Sequence, residues 1–136
     1  MKRSDAFSLH VVPKTPELYG HYMSWFQSRG AALPPPSDDM ILIADPRGAL
    51  CGVSLYPTTG PYVFAEHMAT NPMAPLRLRH RAVAALLRAL RAYCAMRAKY
   101  PLVVIRHRAL VRMLVREGFT HQPAVVMSAD PVMRIE

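Results

Sequence analysis

Residues 62–98 read YVFAEHMATNPMAPLRLRHRAVAALLRALRAYCAMRA. The apolar run Tyr62–Thr70 predicts a strand, and Asn71-Pro72 with Pro75 predicts the turn that ends it. A basic segment, residues 77–81, then leads into a long helical pattern with apolar residues on one face and arginines on the other. The apolar face holds Val83, Leu86, Leu87, Leu90 and Cys94, and the polar face holds Arg88, Arg91 and Arg97. This stretch therefore predicts a strand, a turn and an amphipathic helix that lies against a core.

The junction between this strand and this helix is a candidate anion site. The first amide groups of a helix have no partner within the helix and carry partial positive charge. Arg77, Arg79 and Arg81 lie at the same place, and guanidinium groups bind phosphate well. A solvated basic helix start is the alternative interpretation. The position of the arginines beside free amides favours phosphate binding.

The segment Arg79-His80-Arg81-Ala82-Val83-Ala84 resembles the R/Q-x-x-G-x-G/A loop of the GNAT-superfamily N-acyltransferases. In that family, amides at a helix start hold the pyrophosphate of acyl-CoA. Alanine stands at both glycine positions in this chain. The resemblance also implies that the preceding strand parts from its neighbour, so that its unpaired backbone groups bind pantetheine. The cofactor-binding residues that it implies are Met68, Ala69 and Thr70 in the strand and Arg77, Arg79, His80, Arg81, Ala82, Val83 and Ala84 at the helix start.

Length, charge and cysteine content limit the class of protein. The 136 residues, 51% of them apolar, suit a single domain with one core over residues 1–136. The net charge of +8 favours an anionic partner such as a nucleotide cofactor, a nucleic acid or an acidic protein surface. Cys51 and Cys94 are expected to be reduced core residues, which indicates a cytoplasmic setting. The sequence shows no signal-peptide segment and no apolar run of about twenty residues, so no membrane association is expected.

The remaining hydrophobic patterns predict further elements on both sides of this stretch. Strands are predicted at residues 7–12, 40–44, 49–56, 102–105 and 123–129, and helices from 16 to near 30 and from 107 to 117. Thr15 and Pro16 are suited to start the first helix, and Gly118 is suited to end the last. The order β-α-βββ-α-β-α-β predicts an α/β (α+β) fold with a mixed, mostly antiparallel sheet and helices on both faces. This order, together with the pair Gly118-Phe119, is similar to the GNAT arrangement over nearly the whole chain.

The chain departs from the GNAT pattern in two respects. Its end has room for one good strand where members usually have two, so either that strand is absent or a second copy supplies it in a homodimer. Leu114 stands four residues before Gly118, where many members place the tyrosine that protonates the leaving thiolate, and His107 stands where the family often has an asparagine. Another group, such as Tyr93 or Tyr100, or water would then protonate the thiolate.

Glu66 is the candidate general base. A carboxylate in a mostly apolar strand is costly unless it is paired or faces a cleft, where it can accept a proton from an amine. The segment Phe64-Ala65-Glu66 resembles the strand that carries the base in some GNAT members. The alternative is a glutamate on the solvent face or in a salt bridge with an arginine. Strand alternation places His67 on the face opposite to Glu66, so at most one of them is expected to face the acceptor.

Three functions are consistent with these features. The first is an acyl-CoA-dependent N-acyltransferase that transfers an acetyl group from acetyl-CoA to an amine of a small molecule or a protein. The second is a catalytically inactive GNAT-like binding or assembly module, which the absent tyrosine and the alanines in the loop support. The third, a basic nucleic-acid-binding protein, is disfavoured because neither an aromatic platform nor helix-turn-helix spacing accompanies the arginines. The histidines and cysteines lack metal-ligand spacing, so no metal site is predicted.

Overall fold

The computed structural model describes residues 9–37, 39–105 and 107–122, and within these ranges the chain forms five strands and three helices. The strands are β1 (His10–Val12), β2 (Asp39–Asp45), β3 (Gly48–Pro57), β4 (Tyr62–Thr70) and β5 (Tyr100–Val103). The helices are α1 (Pro16–Ser28), α2 (Leu76–Met96) and α3 (Ala109–Arg116). The strand predicted at residues 123–129 lies outside the described residues. The strand, turn and long helix predicted from residues 62–98 are confirmed.

The five strands form one mixed sheet in the order β1-β2-β3-β4-β5. The pairs β1–β2, β2–β3 and β3–β4 are antiparallel, and the pair β4–β5 is parallel. Tight turns join β2 to β3 and β3 to β4, whereas the parallel pair requires the crossover that α2 supplies. The predicted mixed, mostly antiparallel sheet is therefore confirmed.

Helices cover the sheet on both faces, because successive side chains of the strands point into two separate apolar layers. In β2, Leu42 points into one layer, and its neighbours Ile41 and Ile43 point into the other. The first layer joins Tyr22, Trp25 and Phe26 of α1 to Leu42, Ala49 and Ala69. The second layer joins Leu86, Leu87, Leu90, Cys94 and Leu114 from α2 and α3 to Val53, Leu55 and Val63. The helices on both faces that the sequence predicted are present.

Local signals place the ends of α1 and α3 close to their predicted positions. The Thr15 hydroxyl accepts a hydrogen bond of 3.1 Å from the Leu18 amide, as an N-cap does, and Pro16 occupies the first turn. After α3, Gly118 has a φ of +92°, and Phe119 packs against the second apolar layer. Thr15 and Gly118 therefore mark the start of α1 and the end of α3, as predicted.

Strand β5 lies two residues earlier than predicted and contains Pro101, which the sequence pattern had excluded. The Tyr100 amide donates to the carbonyl of Pro61, just before β4, at 2.8 Å, and the Val104 amide donates to the Ala65 carbonyl of β4 at 3.2 Å. Alternation then turns the nitrogen of Pro101 away from β4, where no donor is needed. A proline is therefore compatible with this strand.

Gly52 in β3 is required by close packing between the sheet and α1. A Cβ atom at this position would lie 2.8 Å from Leu42 Cδ2 and 3.0 Å from Tyr22 Cδ1. We expect Gly52→Ala to lower the free energy of unfolding by about 1–3 kcal/mol, because both neighbours are buried and must shift. Urea denaturation measures this change.

Gly20→Ala is the matched control for Gly52→Ala. Gly20 lies within α1, and no atom lies within 4 Å of a Cβ added there. Because alanine favours the helix over glycine, this variant should gain about 0.5–1 kcal/mol. If Gly52→Ala were as stable as the wild type, the close packing of α1 on β3 would be wrong.

Candidate functional site

Strands β4 and β5 are paired for only part of their length. The pairs run from Tyr62 with Tyr100 to Ala65 with Val103, and the last bond joins the Val104 amide to the Ala65 carbonyl. Beyond Ala65, β4 continues to Thr70 with no β5 partner among the described residues. The Asn71 amide donates to the Leu50 carbonyl of β3, so alternation directs the backbone groups of Thr70 toward the gap. The gap thus has unpaired backbone donors and acceptors on one side.

A β-bulge interrupts β4 where the two strands diverge. Ser54 pairs with Glu66 and Gly52 pairs with Ala69, so two residues of β4, His67 and Met68, lie opposite one residue of β3. His67 has a φ of 61°, a left-handed conformation that residues with a Cβ atom rarely adopt. The bulge therefore reorients the chain at the opening of the gap.

Tyr22 of α1 holds the bulge in place. Its hydroxyl donates to the His67 carbonyl at 2.5 Å and lies 2.9 Å from the Ser54 hydroxyl. Since the single tyrosine proton goes to the carbonyl, Ser54 donates to Tyr22. Burial raises the pKa of Tyr22 above its ordinary value, so the phenol stays protonated and remains a donor. This network fixes the strained residue from the side of the sheet that α1 covers.

A cavity of about 610 Å³ opens beside the bulge. It is lined by Phe26, Arg29, Ala31, Ala32, Leu33 and Pro35 from α1 and the loop after it, by His67 and Met68 from β4, and by Val104, His107 and Leu110 after β5. The cavity therefore lies at the divergence of β4 and β5, between the end of α1 and the start of α3.

Glu66 and His67 lie together, which corrects the prediction that they face opposite sides of the sheet. Glu66 Oε2 is 3.7 Å from His67 Nε2, and the exposed fractions of the two side chains are 30% and 19%. The reason is the bulge, because the left-handed backbone of His67 breaks the alternation on which that prediction depended. Both side chains therefore lie at the cavity end of β4, and His67 lines the cavity itself.

Tyr56 joins this group, although sequence reasoning did not single it out. Its ring packs edge-on against the His67 imidazole at 6.1 Å, and its hydroxyl donates to the Pro35 carbonyl at 3.1 Å. Burial raises the pKa of Tyr56, and the nearby Glu66 charge acts in the same direction. Alternation along β3 was the signal available, because it places Tyr56 and Ser54 on one face with Glu66.

The α2 helix begins earlier than the loop resemblance implied. It starts at Leu76, and the Arg79 amide already donates to the Pro75 carbonyl at 3.0 Å. Its free amides are those of Leu76, Arg77 and Leu78, since each later amide is bonded within the helix. The segment expected to form a loop, residues 79–84, is helical, with Ala82 and Val83 buried in the core. His80 and Ala84 lie in the same helical turns.

The arginines at this helix start differ in their surroundings. Arg77 and Arg81 are exposed, and Arg79 is half-buried. The Nε atom of Arg79 is buried, and the described residues offer it no hydrogen-bond partner. Which of these residues, and of Met68, Ala69 and Thr70, contact a cofactor stays a prediction.

The residues considered for protonation of the leaving thiolate lie in different parts of the structure. Leu114 is a core residue. The Tyr93 hydroxyl donates to Asp39 Oδ2 at 2.7 Å, and burial together with this bond raises the pKa of Tyr93 to about 12. Tyr100 is 67% exposed, and neither tyrosine lines the cavity. Only His107 of this set lies on the cavity wall.

Three further features concern the described part of the chain as a whole. Among residues 9–37, 39–105 and 107–122, no group of three or more His, Cys, Asp or Glu side chains is arranged to hold a metal ion. Cys51 and Cys94 are buried free thiols, as predicted. The helices in the same part of the chain are too short or too polar to cross a membrane.

No protein-family model and no curated protein sequence matches the chain. Solved structures do match it. A probable acetyltransferase from methicillin-resistant Staphylococcus aureus gives a TM-score of 0.66 at 9% identity, covering 90% of this chain and 99% of that one. The aminoglycoside N-acetyltransferase AAC(6')-Iy, in complex with CoA, gives a TM-score of 0.64 at 11% identity, covering 91% of this chain and 95% of that one. A GNAT-family acetyltransferase from Streptococcus pneumoniae gives a TM-score of 0.63 at 10% identity, covering 90% of this chain and 99% of that one. At such identities the similarity establishes the fold alone.

Proposed function

We propose that this chain, which has the GNAT fold, is an acyl-CoA-dependent N-acyltransferase that moves an acetyl group from acetyl-CoA to an amine. The observation that carries the proposal is the divergence of β4 and β5 at a bulge beside a cavity of about 610 Å³. An extended pantetheine arm carries amide groups that can hydrogen-bond to unpaired backbone groups along a strand. The β4 residues after Ala65 offer such groups on the side of the gap.

The helix start fits the diphosphate of the coenzyme. Three free amides, those of Leu76, Arg77 and Leu78, lie at the positive end of α2. The buried Nε of Arg79 lacks a partner among the described residues, and an anion at this helix start would provide one. Arg77 and Arg79 are therefore the proposed diphosphate ligands, with Arg81 adding positive charge nearby.

The residues at the bulge fit the chemistry of amine acylation. Acetyl-CoA, when bound, supplies the thioester carbonyl that the amine attacks. Glu66 accepts the amine proton directly or through a water molecule, and the His67 imidazole, 3.7 Å from the Glu66 carboxylate, lines the cavity. Backbone amides of β4 beyond Ala65 stabilise the negative charge that develops on the carbonyl oxygen. His107, which also lines the cavity, is the candidate group that protonates the leaving thiolate.

A GNAT-like module without catalysis is the second candidate. Two observations favour it: Leu114 is buried in the core, and residues 79–84 form a helix rather than a phosphate loop. The described contacts give less support to nucleic-acid binding, because Arg88 is paired with the Glu117 carboxylate and Arg91 donates to the Glu117 carbonyl.

Thermal denaturation with acetyl-CoA tests the proposal. We expect a saturating concentration to raise Tm by about 5–10 °C, since a ligand at a hundred times its Kd adds about 2.7 kcal/mol of stability. In the double variant with Arg77→Glu and Arg79→Glu, the shift in Tm caused by acetyl-CoA should vanish. The matched control is Arg112→Glu with Arg116→Glu on α3, which makes the same change in net charge away from the helix start and should keep the shift.

Release of free thiol in the presence of amines separates the two candidates. A shift in Tm with thiol release supports the acyltransferase, whereas a shift without thiol release supports the inactive module. If millimolar acetyl-CoA left Tm unchanged in the wild type, coenzyme binding and the acyltransferase proposal would both be refuted.

A further inference from the structure

The cavity has an uneven distribution of charge. The charged or titratable residues on its wall are Arg29, His67 and His107, and the described lining includes no carboxylate. The remaining lining is apolar, from Phe26, Leu33, Pro35, Met68 and other residues. The Glu66 carboxylate does not line the cavity, but it lies 3.7 Å from Nε2 of His67, which does. The positive charge of Arg29 therefore lies on the α1 side of the site, and the negative charge of Glu66 lies on the β4 side.

Arg29 is placed to bind an anion in the cavity. It follows α1 directly, and its guanidinium carbon lies 5.0 Å from the centre of the Phe26 ring. This cation–π contact orients the guanidinium across a residue that itself lines the cavity. Among the residues that the structure describes, no carboxylate forms an ion pair with Arg29. Its donors are therefore available to a ligand.

From this arrangement, and resting on the proposed function, we propose that the acceptor is a small amine that also carries an oxyanionic group, a carboxylate or a phosphate. The anionic group pairs with Arg29, whose planar donors match both groups. The amine lies toward Glu66, which attracts the ammonium form and accepts its proton. The two charges of the ligand would then match the two opposite charges of the site. Aminoglycosides and other polycations are expected to be poor acceptors, because Arg29 repels them.

Matched pairs of amines test this assignment. Glycine, β-alanine and 4-aminobutyrate are compared with their amides, which keep the amine and lose the negative charge. Aminoethyl phosphate distinguishes a phosphate from a carboxylate as the preferred anion. Thiol release from acetyl-CoA gives kcat/KM for each amine. We expect kcat/KM for at least one acid to exceed that for its amide at least tenfold. Arg29→Gln should bring this ratio of acid to amide close to one.

Two further variants control for indirect effects. Arg29→Lys keeps the charge without the planar donors, so it should retain part of the preference for the acid. Arg112→Gln removes an exposed arginine of α3 that does not line the cavity, and it should leave the ratio unchanged. A ratio that Arg29→Gln leaves intact would overturn the assignment.

Calorimetry with the same amines, in the absence of acetyl-CoA, gives a measurement independent of turnover. Acids should bind at least tenfold more tightly than their amides, and Arg29→Gln should remove the difference. A protein that acetylates acids and amides equally, or that prefers polycations, overturns the anion assignment and leaves the proposed function standing. If the protein binds acids more tightly than their amides but never releases thiol from acetyl-CoA, the anion site is supported and the transferase is refuted. Equal binding without turnover refutes both.

Discussion

Replacing Glu66 with glutamine is expected to lower kcat/KM for amine acetylation by about 10²–10⁴-fold, the usual contribution of a positioned general base. Glutamine keeps the shape of the side chain but cannot accept a proton from the amine. The neighbouring His67 lines the cavity and would provide the remaining proton transfer. Steady-state thiol release with a fixed acceptor measures the loss.

The binding of acetyl-CoA separates this effect from misfolding. Glu66 is half-buried, so Glu66→Gln should keep both the Tm of the wild type within a few degrees and the shift caused by acetyl-CoA. Glu66→Asp retains a carboxylate and should recover part of the activity. If Glu66→Gln kept more than a tenth of wild-type kcat/KM, Glu66 would not be the base, and His67 would become the next candidate.

Replacing Tyr22 with alanine is expected to lower the free energy of unfolding by about 3–5 kcal/mol, which is the largest stability effect predicted for this chain. Tyr22 is fully buried, and its ring packs edge-on against Trp25 and Phe26 at 6.1 and 5.1 Å. Its removal leaves a cavity between α1 and the sheet. Chemical denaturation followed by circular dichroism measures the change.

Tyr22→Phe isolates the hydroxyl from the ring. It should cost about 1–3 kcal/mol, because the His67 carbonyl and the Ser54 hydroxyl lose a buried partner. In a double-mutant cycle with Ser54→Ala, the two changes should couple, since they act on one network. A cost below about 0.5 kcal/mol together with additive effects would show that the hydroxyl does not hold the bulge.

Much of the fold follows from local signals that agree with each other. Thr15 and Pro16 mark the start of α1, and Leu18, Tyr22, Trp25 and Phe26 recur at helical spacing on its inner face. Short turns between the strands then leave few ways to arrange them, so the antiparallel order of β2, β3 and β4 was predictable. The Gly118-Phe119 pair correctly marked the end of α3.

The bulge was not predictable from the same signals. Residues 62–70 form an apolar run that is typical of a strand, and nothing in the sequence shows that His67 has a φ of 61°. That conformation depends on Tyr22, which lies 45 residues earlier and donates to the His67 carbonyl. A contact so distant in sequence overrides local alternation, so the shared position of Glu66 and His67 emerged only from the structure.

The start of α2 shows a different source of error. Leu76, Arg77 and Leu78 are good helix formers, and Pro75 is a suitable residue just before a helix. The resemblance of residues 79–84 to a phosphate loop placed the free amides one turn too late. Intrinsic helix propensity was the better guide at this position.

A single helix connects the two halves of the proposed reaction centre. Tyr22 in α1 and Arg29, the residue directly after α1, are seven residues apart, about two helical turns. Tyr22 donates to the His67 carbonyl at the bulge, and Arg29 lines the cavity. Substitutions that tilt α1 to admit a new acceptor would also disturb the backbone that is proposed to bind the acyl donor. Evolution toward other acceptors, or directed evolution in the laboratory, should therefore accumulate changes in residues 31–36, which can vary without moving Tyr22.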